Sequence, residues 1–406
     1  MSMGFRYVIL GAGRQGTAAA YDLALFGGAA SVILADRDPS VARTAAARVN
    51  RLADRPVASP TALEVEDLEA LRGVLTGADV VLSAVPYRHN LALARAAIAA
   101  RVRFCDMGGH TETVRGELAL DAEARRAGVS LVPDCGMGPG LIVTLGVYAM
   151  GYLEEAHELH LYDGGLPQHP VPPWNYALTF HVNGLTNEMD GQACFLRDGR
   201  VTPVDSLSEP EFLDFPGLGR LEAAVCSGGL STAPWTFEGR LRRLENKVLR
   251  YPGHFDWLRA FKALGLFSET AIRVHDQDVV PREVYHALLE PRLRQADTRD
   301  VCVIRARAVG RKDGCAAVAV ADLVDRYDEV TGFTAMERLT GWHCSVVMLL
   351  QARGEVPVGA VAMETLPAEP VMEELGRRGI RYDVRLEALE PTREPREVGT
   401  PVLRRS

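Results

Sequence analysis

The sequence predicts an α/β fold: a doubly wound parallel-sheet domain joined to a second, α+β domain built on a mixed or antiparallel sheet. Three observations predict it. The 406 residues exceed what one hydrophobic core usually organises, so two domains are expected. The first third alternates short apolar strands with alanine-rich helices, the pattern of a parallel sheet covered on both faces. The middle changes character: proline and aromatic residues crowd into GGLPQHPVPPWNYALTF, and two alternating strands flank the turn RKDG further on.

In chain order, the strand RYVIL from Arg6 runs into the glycine turn GAGRQG, which opens the helix RQGTAAAYDLALF. The strand SVILAD follows, then the acidic segment EVEDLEALRGVL, the strand ADVVLSAVP, the helix NLALARAAIAA and the strands RFCDMGG and VSLVPD. These elements place the first domain at residues 1–138. Cys135 to Leu153 is uncharged and nearly long enough to cross a bilayer. Its glycine- and proline-rich start would leave backbone groups unpaired in lipid, and the helical part from Leu141 is too short, so a buried helix is expected. Residues 139–335 form the second domain, in which VCVIRARAVGRKDGCAAVAVADLVDRYD reads as a hairpin. Helical patterns follow at Ala335 to Glu355 and Glu369 to Ile380, and a loosely held tail after Leu389.

Composition narrows the partners. With 47% hydrophobic and 24% charged residues the chain reads as globular, and a net charge of −8 argues against nucleic acid, whose phosphates need a basic face. A small-molecule partner is expected. The seven cysteines contain no C-x-x-C pair, so neither a disulfide framework nor a metal site is expected, and the reading is a reducing cytoplasm. The start, MSMGFRYVILGAG, lacks the cationic and apolar regions of a signal peptide, so no export and no membrane anchor is expected.

GAGRQG is a G-x-G-x-x-G turn in the context that a dinucleotide requires, after a strand and at the opening of a helix. Gly11 makes the tight turn, Gly13 admits the pyrophosphate, and Gly16 lets helix and strand pack closely. Arg14 and Gln15 fill the intervening positions. The helix N-terminus offers unpaired N–H groups and partial positive charge to phosphate. Asp36 ends the second strand 20 residues beyond Gly16, where a carboxylate accepts from ribose hydroxyls and opposes a 2′-phosphate. NAD is therefore expected, with Arg37 leaving NADP open. Ser83, Ala84 and Pro86, and then Asp106 and Gly108, fall at strand ends where the rest of the dinucleotide would lie. Cys135 reads as a buried thiol and His110 as a capping or surface residue.

Taken together, GAGRQG, ADRD, SAVPY, CDMGGH, PDCGMGPG, LYDGGLPQ, CSGGLST, LRYPGH, GRKDG, TAMERLTGW and ARGE occur in an order that resembles the saccharopine dehydrogenase-like oxidoreductases. Within that family the similarity is greatest to the L-lysine 6-dehydrogenase branch, with a departure at Leu178 to Gly199. The resemblance implies a Rossmann domain at the front and a sheet domain that also joins subunits into a homodimer or homotetramer. It implies a C-terminal segment, from about residue 336, that returns to the nucleotide domain. The implied chemistry is NAD(P)-linked oxidation or reduction at a carbon bearing nitrogen, with an amino acid as substrate. Two other readings stay open: an NADPH-dependent reductase that forms a secondary amine, of the saccharopine or carboxynorspermidine type, and a dinucleotide sensor without turnover.

The stretch ENKVLRYPGHFDW carries three cation-capable groups around a Tyr-Pro-Gly turn. By themselves they read as solvated cations and a packed histidine. With the resemblance, Lys247 and Arg250 are expected to hold the substrate carboxylate, assisted by Tyr176, and His254 to take the proton of the reacting ammonium. Asp163 is the competing base.

Overall fold

A computed structural model describes residues 4–295 and 298–388. The expected tail after Leu389 lies outside the described residues. The first sheet has seven strands in the order Gly359–Ala360, Ser130–Val132, Arg103–Asp106, Val80–Ser83, Phe5–Leu10, Ala29–Asp36, Ala58–Ala62. Every pairing in it is parallel. The chain winds outward in both directions from Phe5–Leu10 and Val80–Ser83, which leaves a crevice outside their carboxyl ends.

Sequence patterning passed over several elements here. Helix Pro39–Ala53 starts with Asp38 accepting from Ser40 N–H and proline in the first turn, and its apolar face is made of alanines and one valine, too weak a stripe to stand out. Strand Ala58–Ala62 contains Pro60, which the sheet tolerates because this strand is at its edge. Helix Thr111–Leu118 is capped by His110, whose Nδ1 accepts from Thr113 N–H at 3.3 Å.

The second sheet has nine strands: the path Glu211–Phe215, Gly219–Val225, Arg243–Arg250, Glu155–Pro167, Asp300–Lys312, Cys315–Arg326, Tyr382–Ala388, with Gln192–Arg197 and Arg200–Asp205 branching from Arg243–Arg250. Only Arg243–Arg250 and Glu155–Pro167 run parallel, so the sheet is mixed. Strands Asp300–Lys312 and Cys315–Arg326 form the hairpin around RKDG. Helix Leu141–Met150 is buried against Glu155–Pro167 and Asp300–Lys312. Among the described residues no helix is long and apolar enough to cross a membrane.

Helix Ala335–Ala352 begins in a capping box, in which Thr334 and Glu337 satisfy each other's backbone N–H groups. It packs on helix Arg14–Leu25 so closely at Gly341 that a Cβ there would lie 2.7 Å from the Gln15 carbonyl oxygen. Arg378 seals the same layer with a fully buried ion pair to Asp22 at 2.9 Å. The C-terminal segment then divides: Gly359–Ala360 joins the parallel sheet, whereas Tyr382–Ala388 pairs with Cys315–Arg326 in the other sheet. Its last strand thus departs from the expectation that everything after residue 336 belongs with the nucleotide domain.

Candidate active site in the interdomain cleft

The glycine turn has the shape its spacing implies. Gly11 has φ +100°, and a Cβ on Gly16 would lie 2.0 Å from the Gly11 carbonyl oxygen, so neither position accepts a side chain. A Cβ on Gly13 would meet nothing within 4 Å. Gly13 is also the N-cap of helix Arg14–Leu25 with no side chain capping it, which leaves N–H groups for an anion. The residues present therefore fit a dinucleotide pyrophosphate. Asp36 is tied to this turn: its Oδ2 accepts from Ala12 N–H at 3.0 Å and its Oδ1 from Asp38 N–H at 3.0 Å. Arg37 beside it is exposed. Arg14 points to the C-terminal helix, donating from Nε to Glu337 at 2.6 Å, and still lines the cleft with Gln15.

From the turn, a cleft with two lobes of about 650 and 870 Å³ runs between the sheets. Ala84, Pro86 and Tyr87 form one wall, with the Tyr87 ring stacked on His110 at 4.9 Å. Ser83 does not reach it; its hydroxyl is buried and donates to Asn90 at 2.7 Å. Gly108 lines the first lobe with φ +76°, and a Cβ there would lie 2.2 Å from an Asp134 oxygen. Asp106 lies beneath, fully buried, accepting from Gly108 N–H at 2.6 Å. Burial pushes Asp106 up to about 6; burial, then the Asp106 charge, pushes neighbouring Glu117 up to about 10. Burial thus favours the protonated form in both carboxyls, and Asp106 supports the turn without facing the cleft.

Both lobes share a floor containing Asp163 and Glu188. Asp163 comes from strand Glu155–Pro167, and its Oδ1 accepts from Asn246 Nδ2 at 3.0 Å. Its pKa is raised by burial, against the opposing pull of the Asn246 hydrogen bond and the Arg250 guanidinium. Glu188 ends helix Val182–Glu188 and accepts from Arg250 at 3.1 Å. About a third of its side chain is open to the cleft, and the surrounding protein still pushes its pKa up to about 7 by burial, with Arg250 opposing and Asp163 reinforcing. A pair of recessed carboxylates beside a nucleotide turn can hold an ammonium group and accept its proton.

The stretch ENKVLRYPGHFDW is a buried strand, Arg243–Arg250, a turn, and helix His254–Ala263. Strand alternation divides its cations. Asn246 and Val248 face the cleft, whereas Lys247 lies on the opposite face, its Nζ bonded to Glu211 at 2.7 Å. Lys247 therefore cannot hold the substrate carboxylate. Arg250 is on the cleft side but beneath the surface, 2% exposed and committed to Glu188 and the Leu249 carbonyl. His254 is fully buried among Tyr176, Phe255 and Trp257, with no side-chain hydrogen-bond partner for its ring among the described residues. Burial first, then Arg250, hold its pKa well below the usual histidine value. It packs, and does not exchange protons with the cleft. Tyr176 is buried beneath the Arg250 guanidinium, which sits 5.1 Å from its ring centroid, rather than lining the cleft. Of the five residues expected at the substrate, only Asp163 faces the cleft.

Glu188 and Asn246 escaped sequence reading. Both lie inside stretches that drew attention, Asn246 one position from Lys247. A strict two-residue alternation applied to ENKVLR, in phase with the apolar residues, would have separated Asn246 from Lys247.

Residues 7–132 match the family model of the saccharopine dehydrogenase NADP binding domain, and residues 136–380 match that of the saccharopine dehydrogenase C-terminal domain. The chain is 25% identical over 228 residues to the L-glutamate-forming, NADP(+) saccharopine dehydrogenase of Pyricularia oryzae, 52% of this chain and 48% of that one. It is 24% identical over 344 residues to the carboxynorspermidine synthase of Vibrio cholerae, 79% of this chain and 81% of that one. In sequence, the chain spans about half the length of the curated saccharopine dehydrogenase it matches in Pyricularia. Among solved structures, the apo saccharopine dehydrogenase (L-Glu forming) of Saccharomyces cerevisiae superposes with a TM-score of 0.76 at 19% identity, covering 95% of this chain and 100% of that one.

Proposed function

Because the chain belongs to the saccharopine dehydrogenase family, we propose that it is an NAD(P)-dependent oxidoreductase acting at a carbon–nitrogen bond of an amino acid. The finer reading is oxidative deamination of the distal amine of L-lysine or a similar amino acid to an aldehyde. One observation carries the proposal: the lobe that begins at Arg14 and Gln15 of the glycine turn ends on Asp163 and Glu188. A nucleotide held at Gly11, Gly13 and Gly16 supplies the hydride acceptor. The chain's own residues do the rest. The two carboxylates attract the substrate ammonium, and Asp163 takes its proton, so that the neutral amine can become an imine; water then releases aldehyde and ammonia. Arg250 keeps Glu188 in place without offering a cation to the cleft.

A second reading is supported by the synthase of Vibrio cholerae, whose match spans about four-fifths of both chains. On that reading an aldehyde and an amine lose water to form an imine, the same floor protonates it, and hydride from a reduced nicotinamide nucleotide would convert it to a secondary amine. The test is a panel of amino acids and diamines with NAD or NADP, following reduced nicotinamide and ammonia together. Lysine labelled with heavy nitrogen at the side chain should release labelled ammonia in an amount equal to the reduced cofactor. Consumption of NADPH with an aldehyde and an amine, without ammonia, would support the second reading. No turnover in either direction would sink both and leave a dinucleotide sensor.

A further inference from the structure

We propose that Asn246 is a positioning residue that fixes one oxygen of Asp163 and leaves the other to face the substrate nitrogen. The proposal rests on the reading of Asp163 as the proton acceptor, and goes further by assigning what orients it. Four residues from three separate segments form the device. Asn246 on strand Arg243–Arg250 donates from Nδ2 to Asp163 Oδ1 at 3.0 Å. Its Oδ1 accepts from Cys226 Sγ at 3.1 Å. An amide has one donor end and one acceptor end, so a thiol donor at one side and a carboxylate acceptor at the other fix its orientation. Gly229 closes the lock: a Cβ there would lie 1.9 Å from Asn246 Oδ1 and 2.8 Å from its Cγ, so only glycine leaves room for the amide. Asn246 is wholly buried, and Cys226 is 4% exposed.

The consequence for Asp163 is geometric. With Oδ1 held by the amide, Oδ2 is left near Gly138, where a Cβ would come within 3.0 Å of it, at the junction of the two lobes. A side chain at Gly138 would crowd this oxygen. The charged and titratable groups around Asp163 are Arg250 from the same strand as Asn246, Glu188 from helix Val182–Glu188, Cys226 from the loop after Gly219–Val225, and Cys302 from Asp300–Lys312. Arg250 and Asn246 favour the ionised carboxylate, and burial opposes it. Removing the amide takes away a hydrogen bond to the charged form, so Asp163 holds its proton to higher pH. The acid limb of the oxidation rate must move the same way, because oxidation needs the unprotonated carboxylate.

The experiment compares Asn246→Ala, Asn246→Ser, Cys226→Ala and Cys226→Ser in the full chain, each checked for folding by circular dichroism and melting. Two readouts are taken: the pH profile of turnover, and the titration of the Asp163 carboxyl by NMR of labelled aspartate, its signal assigned by its loss in Asp163→Asn. The expected result for Asn246→Ala is an acid limb displaced to higher pH and turnover about 10-fold lower near neutrality, recovering in alkali. The Asp163 signal should be displaced in the same direction. Cys226→Ala should give a weaker form of the same change, and Cys226→Ser, which keeps a donor, should restore the profile. An unmoved signal and an unmoved limb in both Asn246 variants would overturn the proposal. A displaced signal in a protein that turns over no amine would support the positioning role and remove the proposed function, so the two failures are distinct.

Discussion

The glycine turn and the carboxylate floor lie at opposite ends of one cleft, and they were built in different ways. The turn is a local object: Gly11, Gly13 and Gly16 are within six residues, and their roles follow from backbone sterics that any chain obeys. The floor is a tertiary object. Asp163, Glu188, Asn246 and Cys226 come from two strands, one helix end and one loop. What they do depends on which face of a strand each occupies. Local geometry can be read along the chain, whereas a facing relation between strands has to be built before it can be read.

The largest expected effect breaks the floor and spares the turn. Asp163→Asn removes the proton acceptor while keeping size and a hydrogen bond to Asn246, and turnover should fall by about 100- to 10,000-fold. Titration with reduced nicotinamide nucleotide, read by fluorescence, should give an unchanged Kd. The reciprocal change is Gly16→Ala. With the Gly11 carbonyl 2.0 Å from the new methyl, the helix and the turn must separate, and overpacking of this kind costs about 1 to 3 kcal/mol. Nucleotide affinity should drop by up to roughly 100-fold. If Asp163→Asn weakened the nucleotide as much as the amine reaction, the two ends would not be separable.

Legibility followed the same division. The parallel sheet, the RKDG hairpin and the helix at Ala335 could be read because each repeats a short-range signal: strand and helix alternation, a turn between alternating strands, or a helical apolar pattern. Glu188 could not, because what makes it reactive is burial beside Asp163 and an arginine 62 residues further along the chain. His254 misled for the same reason. Its titration range suggested chemistry, but a histidine at a helix start packed against Tyr176 and Trp257 has lost the solvent that would let it titrate.

A smaller effect sharpens the comparison at the turn. Asp36→Ser removes the charge that would oppose a 2′-phosphate and also the acceptor of Ala12 N–H. The ratio of NAD to NADP efficiency should shift toward NADP by about 5- to 150-fold. At the floor, Glu188 gives a pH signature. Its folded-state pKa, up to about 7, exceeds the ordinary 4.5, so the native state binds its proton more tightly than the unfolded state does. The stability this provides is complete below the unfolded value and declines as pH rises toward the folded one. Denaturant midpoints of the parent protein should therefore fall across that window relative to those of Glu188→Gln, and parallel curves would contradict the assignment.

The smallest expected effect is on substrate, and it tests the strand alternation on which the floor depends. Lys247 and Asn246 are adjacent in sequence, yet the pairing of Val248 with Asp163 and of Lys247 with Tyr162 places them on opposite faces of the sheet. Lys247 spends its charge on Glu211 at 2.7 Å and Glu209 at 3.7 Å, both of which are partly exposed. Lys247→Ala should leave KM for the amine substrate within about 2-fold of the parent, because no contact with the cleft is lost. It should lower stability modestly, by about 1 kcal/mol, since it removes a partly solvated ion pair and the packing of a buried alkyl chain. A KM raised tenfold with an unchanged melting point would reverse this result. It would put the lysine on the substrate carboxylate, require a different phase for the whole strand, and so take Asn246 away from Asp163.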